Sequence, residues 1–380
     1  MTEDFLLVRY GEIGTKSEPV RSRMVKILRQ RISDRLEYEK IDFETVSVRQ
    51  GRIIAEKIQE PAKAAEDVAE LPGVSSASPA YRVEPEMQEL EKSTKKFQVG
   101  ETFGIETNRS GDHDFDSQDV NREVGGFVEE NTGAKVDLDD PETWINFDVR
   151  EDQAFTYTEK FSGPDGMPTG SGDKVAALIS GGIDSPVAAH EIMKRGSDTV
   201  PIYFYNRPIA AEDHFLRFRS VVEKLRRFNP SRDWKAYKID MQEVNEELME
   251  IGSGRMVIHR RLMFAVAEKI AEENGLKGIV TGESLSQKSS QTAANLKVTT
   301  EALDLPVLRP LISDSKKEIV AKAREIGTYE DAKIASACST MAPENPRTRM
   351  DMQEVRKLEE KVNFDELVEK ALDSVEVIEF

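Results

Sequence analysis

Cysteine is almost absent from this 380-residue chain, which carries one, Cys338. A lone thiol excludes an internal disulfide, and it excludes any zinc or iron–sulfur site built from this chain's cysteines alone. It fits a reducing compartment, so a cytoplasmic location is expected. Histidine is scarce too: His113, His190, His214 and His259 are the full set, and no two of them stand at metal-ligand spacing. No apolar run approaches the roughly 18–20 residues that cross a bilayer, so no membrane span is expected. The opening MTEDFLLVRYGEIG reads as a strand, without the basic start and apolar stretch of a signal peptide. Internal repeats and low-complexity blocks are lacking as well.

What is present is charge. Charged residues make up 33% of the chain and the net charge is −18, which taken alone argues against a nucleic-acid partner. Binding depends on where the basic residues lie, however. Arg21, Arg23, Lys26, Arg29, Arg31 and Arg35 fall in one short stretch, a candidate contact for a phosphate backbone and equally a solvated helix face.

The chain is long enough for two or three domains. Strand-like LLVRY, a helix over residues 22–36, and strands near 41–48 and 52–57 precede a helix opened by Pro61, which suggests a small α+β unit ending near residues 58–62. A second α/β unit follows, with strands at FGIETNRS and ETWINFDVRED and a glycine-stopped helix between them. Gly, Pro and Ser crowd residues 162–173, marking a linker. Beyond it, short apolar strands alternate regularly with helices up to residue 326, the pattern of a doubly wound parallel sheet. Such sheets bind ligands at the carboxyl ends of their strands.

One strand–loop–helix corner stands out: VAALI, then SGGIDS (Ser180–Ser185), then PVAAHEIMKRG. Gly181 and Gly182 let backbone N–H groups approach an anion, and the helix start adds positive dipole. Ser185 suits the helix cap and Pro186 its first position. The loop lacks the lysine of the G-x-x-x-x-G-K-[ST] pattern, which argues against an ordinary kinase or GTPase.

SGGIDS resembles the pyrophosphatase loop of the adenine-nucleotide α-hydrolase superfamily, whose members cleave ATP to AMP and pyrophosphate. Further segments narrow the resemblance: VRYGEIGTKS (8–17), GGFVEENTGAKVDLDDPE (125–142), SGPDGMPTGSGDKV (162–175), TGESLSQKSSQT (281–292) and LRPLISDSKKEI (308–319). Together they are similar to the tRNA 4-thiouridine synthetase (tRNA sulfurtransferase) family over nearly the whole chain. The resemblance implies an α/β fold with an amino-terminal ferredoxin-like domain (1–60), a THUMP RNA-binding domain (61–165) and a pyrophosphatase-loop catalytic domain (174–380). It implies that Ser180, Gly181, Gly182 and Ser185 hold pyrophosphate and that Asp184 supports catalysis through Mg²⁺. Leu178, Ile179, Tyr203, Phe204, Arg260, Gly282 and Gln291 would complete the ATP site.

Some of these positions keep a plainer reading open. Either Arg260 or its neighbour Arg261 would lie on a solvated helix face, and Gly282 could be a strand-end turn. Lys316 matches a family lysine, with Lys317 beside it. Cys338 matches the family cysteine that carries a persulfide, and otherwise would be a small buried hydrophobe.

No segment resembles the rhodanese domain of many bacterial members, so the expected sulfur source is external: a persulfide from a cysteine desulfurase, or sulfide itself. The family substrate is uridine 8 of tRNA, activated at its 4-oxygen by ATP and attacked by sulfur. Lys92, Lys95 and Lys96 are further candidate RNA contacts in the THUMP segment. A homodimer is left open. The alternatives are another tRNA-modifying ATP-pyrophosphatase, a non-catalytic RNA-binding protein, and a sulfur-supplying role in thiamin (thiazole) synthesis.

Overall fold

The computed structural model describes residues 4–231, 234–332 and 347–380, which form two compact units, 1–168 and 169–380. In the first unit the chain runs β1 (Phe5–Arg9), α1 (Glu18–Tyr38), β2 (Thr45–Arg49), β3 (Arg52–Glu56), α2 (Pro61–Ala69) and β4 (Ser76–Val83). Antiparallel pairing in the order β2-β3-β1-β4 makes this a ferredoxin-like βαββαβ unit. Its core packs Leu28 and Ile32 of α1 and Ala65 and Val68 of α2 against Leu6, Val8, Ile53 and Ala77. The unit therefore runs past the expected boundary near residue 60, because α2 and β4 are needed to cover and close the sheet.

The sheet does not stop there. Residues 76–80 of β4 pair with β1, and residues 81–83 pair with β8 (Ala154–Tyr157). Between them come α3 (Met87–Ser93), β5 (Thr102–Arg109), α4 (Ser117–Thr132), β6 (Lys135–Val136) and β7 (Thr143–Val149). An Asp116–Asp119 capping box starts α4, and left-handed Gly133 ends it. The strand order continues β8-β7-β5-β6, around a second core of Phe103, Val120, Val124, Ile145 and Phe147.

The glycine-rich stretch expected as a linker is only partly one. It begins in β9 (Phe161–Ser162), which pairs with β4. The Asp165 carboxylate accepts hydrogen bonds from the Gly11 and Glu12 amides at 3.2 and 3.1 Å, so this part is built into the first unit.

The second unit contains β10 (Lys174–Leu178), α5 (Asp184–Met193), β11 (Asp198–Tyr205), α6 (Glu212–Arg226), β12 (Lys235–Asp240), α7 (Gln242–Leu248) and α8 (Arg255–Glu273). β13 (Ile279–Val280), α9 (Ala293–Thr300), β14 (Val307–Leu308), α10 (Lys316–Glu325) and α11 (Tyr329–Ala332) follow. Strand order is β14-β13-β10-β11-β12-β15, parallel throughout except β15 (Glu376–Glu379), which adds an antiparallel edge. The series thus extends beyond residue 326: α12 (Met352–Lys361) and α13 (Phe364–Asp373) pack on α8 before β15. Helices cover both faces, and strand alternation sorts the side chains between them. Ala176, Leu178, Ile202 and Phe204 face α8, whereas Val175, Ala177, Ile179 and Tyr203 face α5 and α6. Among the described residues no helix is long and apolar enough to cross a membrane.

Candidate active site

β11 and β12 lie on one side of β10, and β13 and β14 on the other. The loops leaving β10 and β13 therefore part at the topological switch point, where such sheets open a crevice. A cavity of about 460 Å³ lies there, and the expected Leu178, Ser180, Gly182, Asp184, Ser185, Arg260, Gly282, Gln291 and Lys316 all line it.

SGGIDS closes on itself. Ser185 Oγ accepts from the Ser180 amide at 2.9 Å and donates to the Ser180 carbonyl at 3.2 Å, while Ser180 Oγ accepts from the Gly182 amide at 3.3 Å. α5 starts at Asp184, so Ser185 lies inside its first turn and is not the cap expected from the sequence. Ile183 at its N-cap makes no side-chain capping bond, which leaves the first N–H groups of α5 available to an anion.

The loop after β13 packs directly onto that turn. A Cβ on Gly282 would lie 2.6 Å from the Ser185 nitrogen and 2.7 Å from the Asp184 carbonyl carbon, so close backbone approach, not turn geometry, explains this glycine. Opposite, a Ser315–Glu318 capping box starts α10, and Lys316 at its first position places Nζ 2.6 Å from Asp184 Oδ1. Lys316, rather than Lys317, lines the cavity.

α8 supplies the far wall through Met256, His259, Arg260, Met263 and Phe264. Arg260 pairs with Glu283, whose second oxygen takes Arg309 Nε at 2.8 Å. Arg261 is not solvated. It is buried, bonded to Glu359 at 2.6 Å and to the Val298 carbonyl, and ties α8 to α12 and α9. His259 is fully buried and bonded to Asn206 Oδ1 at 2.9 Å. Burial, reinforced by Arg260, pushes its pKa down to about 4, so the imidazole is neutral. Gln291 is buried, and among the described residues its side-chain Oε1 has no hydrogen-bond partner, nor has Oε1 of Gln287 beside it.

Four expected residues lie off the cavity wall. Ile179 is in the α5/α6 core, and Tyr203 stacks on Phe218 at 4.6 Å on the same face. Phe204 is buried in the α8-side core. Gly181 faces α6, with the His214 carbonyl 3.6 Å from a Cβ position. Cys338 lies outside the described residues. Among those described, no group of three or more His, Cys, Asp or Glu gathers into a metal site. Glu283 and Arg309 carry the charge pattern that sequence reading did not assign; both sit in quoted segments, but nothing local signals their pairing.

In the first unit, Arg21, Lys26, Arg29 and Arg52 line a groove of about 790 Å³ between α1 and the β2–β3 hairpin. Arg35, expected with them, is 2% exposed and paired with Glu39, Asp67 and Glu70 at 3.0–3.2 Å, so it is a core residue. Lys92 pairs with Glu89 at 2.7 Å, while Lys95 and Lys96 lie over the Phe127 and Tyr81 rings.

Family models, relatives and a solved structure all match this chain. The family model described as thiamine biosynthesis protein (ThiI) matches residues 170–364, the THUMP domain matches 85–159, and the ThiI ferredoxin-like domain matches 5–78. A probable tRNA sulfurtransferase of Halobacterium salinarum is 39% identical over 363 residues, covering 93% of this chain and 92% of that protein. A tRNA sulfurtransferase of Thermoplasma acidophilum is 37% identical over 373 residues, covering 96% of this chain and 75% of its own length. A solved 4-thiouridine synthetase–RNA complex with bound ATP superposes with a TM-score of 0.86 at 30% identity, over 99% of this chain and 100% of that one. Domain by domain and over its whole length, this chain belongs to the tRNA sulfurtransferase (4-thiouridine synthetase) family.

Proposed function

We propose that this enzyme uses ATP to replace the 4-oxygen of uridine 8 in tRNA with sulfur, leaving 4-thiouridine. The observation that carries this reading is the meeting, on one cavity, of the anion-binding loop, the Asp184–Lys316 pair, Arg260 and the buried Gln291 side-chain Oε1. ATP fits that set. The loop and the start of α5 suit its phosphates, Leu178, Met256, Met263 and Phe264 give an apolar wall for the base, and Gln291 offers a buried side-chain acceptor, Oε1, that has no donor among the described residues.

The uridine 4-oxygen would attack the α-phosphorus, breaking the bond to pyrophosphate. Sulfur would then add at C4, the C4–O bond would break, and AMP would leave. Asp184 is the carboxylate that would hold Mg²⁺, which offsets phosphate charge when bound. Lys316 supplies a second cation beside the same phosphates. Cys338 would carry the sulfur as a persulfide from an external donor, and its outer sulfur would attack C4 as AMP leaves. An external thiol would then take Cys338 Sγ into a disulfide and free the 4-thiouridine, the alternative being direct attack by sulfide with no such reductant. Uridine 8 is packed inside folded tRNA and must be extruded to reach the cavity. The basic groove of the first unit would hold the RNA backbone meanwhile.

The test is mass analysis of tRNA nucleosides after incubation with ATP, Mg²⁺ and sulfide, with AMP counted alongside. Wild type should yield 4-thiouridine with one AMP per thiolation, and Asp184→Ala should lose both. Absence of 4-thiouridine from wild type with sulfide or persulfide donors sinks the reading. With a persulfide donor in place of sulfide, a fully active Cys338→Ser removes only the persulfide. The match to a family described by thiamine biosynthesis favours one second reading, sulfur delivery to the thiazole of thiamin, which needs Cys338 but no tRNA.

A further inference from the structure

The reaction as drawn leaves one buried carboxylate at the cavity without a role. Glu283 follows Gly282, which packs on the first turn of α5, and it is 2% exposed. Its two oxygens are divided between two arginines: Oε1 takes Nη1 of Arg260 from α8, and Oε2 takes Nε of Arg309, just after β14, at 2.8 Å. Arg309 keeps a further buried nitrogen, Nη2, with no hydrogen-bond partner among the described residues. One carboxylate thus joins three separate segments at the edge of the cavity.

A carboxylate beside a polyphosphate site is electrostatically adverse, and an unpaired buried one is costly. Here two guanidiniums outnumber it, so the cluster stays cationic by one charge. A long, flexible arginine gains direction when a carboxylate holds one edge of its planar fork and leaves the others pointing elsewhere. Arg260 is the member of the trio that lines the cavity.

We propose that Glu283 is a positioning residue for ATP: it fixes the Arg260 guanidinium at the cavity wall, and Arg309 keeps the pair from becoming charge-neutral. This rests on the reading that ATP occupies the cavity. A merely structural salt bridge would instead tie the segments together without affecting nucleotide affinity.

The experiment measures ATP affinity by titration calorimetry on the full chain, with thermal unfolding and the KM for tRNA recorded for each variant. Loss of a charged hydrogen bond predicts that Glu283→Gln weakens ATP about 10- to 100-fold while the KM for tRNA holds. Because Glu283 acts through Arg260, adding it to Arg260→Met should cost nothing further. Effects that multiply in the double variant, or an unchanged ATP affinity in Glu283→Gln, overturn the proposal. Should that variant not fold, Arg309→Met is the second arm, expected to weaken ATP about threefold or more by leaving Glu283 under-compensated. Unchanged affinity there, or failure of both variants to fold, makes the trio structural and refutes the proposal. Wild type that binds no ATP would instead sink the reading of the cavity.

Discussion

Gly282→Ala isolates the contact on which the site's geometry depends. The new methyl carbon would lie 2.6 Å from the Ser185 nitrogen, 2.7 Å from the Asp184 carbonyl carbon and 2.8 Å from the Ser185 Cα. Ordinary contact begins near 3.4 Å, so loop and helix must part by about 0.6–0.8 Å. All three obstacles are backbone, so no side chain can swing aside. Overpacking of this kind costs about 1–3 kcal/mol, and for backbone obstacles we expect the upper part of that range. In a unit of this size that lowers the unfolding midpoint by roughly 5–10 °C. The functional effect should be larger than the loss of stability suggests. Gly282 separates the first turn of α5 from Glu283 and its arginines, and displacement of catalytic groups by about 1 Å can cost about 100-fold. Thermal unfolding and ATP titration on the purified variant are the assays. A variant with a midpoint within about 1 °C of wild type and unchanged ATP affinity would refute the close-approach argument.

Two further outcomes follow from other parts of the molecule. Burial lowers the pKa of His190 to about 3 and of His259 to about 4, so both fold as neutral imidazoles. The unfolded chain binds those protons near pH 6.5. Their contribution to stability is therefore complete above that pH and is lost as pH falls toward 4 and then 3, roughly 2–3 kcal/mol each by pH 4.5. Urea unfolding at pH 7 and 4.5 should show a smaller acid loss in His190→Gln/His259→Gln than in wild type, and equal losses would contradict the assignment. Neutralising Arg21, Lys26 and Arg29 together should weaken tRNA binding and flatten its log–log salt dependence by about 0.7–0.9 per lost phosphate contact. An unchanged slope would remove the groove from the RNA surface.

The sequence carried the parts of the site that depend on chain neighbours. SGGIDS announces itself because strand, glycines and helix start are contiguous, and the order of α/β elements places it at a strand's carboxyl end. Pairings across distance were not legible. Glu283 and Arg309 are 26 residues apart, and the parallel pairing of β13 with β14 brings them to neighbouring strand ends. Arg35 looked like one of a basic run until α2 brought Asp67 and Glu70 against it. Alternation along a strand also explains why Ile179 and Tyr203 turn away from the cavity while Leu178 lines it. Very short strands such as β6, β9 and β15 are too brief for any periodicity to register.

β4 has a consequence for how RNA would be held. Five of its residues serve the ferredoxin-like sheet and three serve the THUMP sheet, with no turn between them. Two modules joined by a flexible tether must each surrender freedom when they settle on the same ligand. Two modules sharing a strand surrender it once, as a single body, and their spacing is set before the ligand arrives. For a substrate recognised by shape, that shared strand acts as a ruler: an RNA of the wrong size would meet a fixed gauge rather than an adjustable grip.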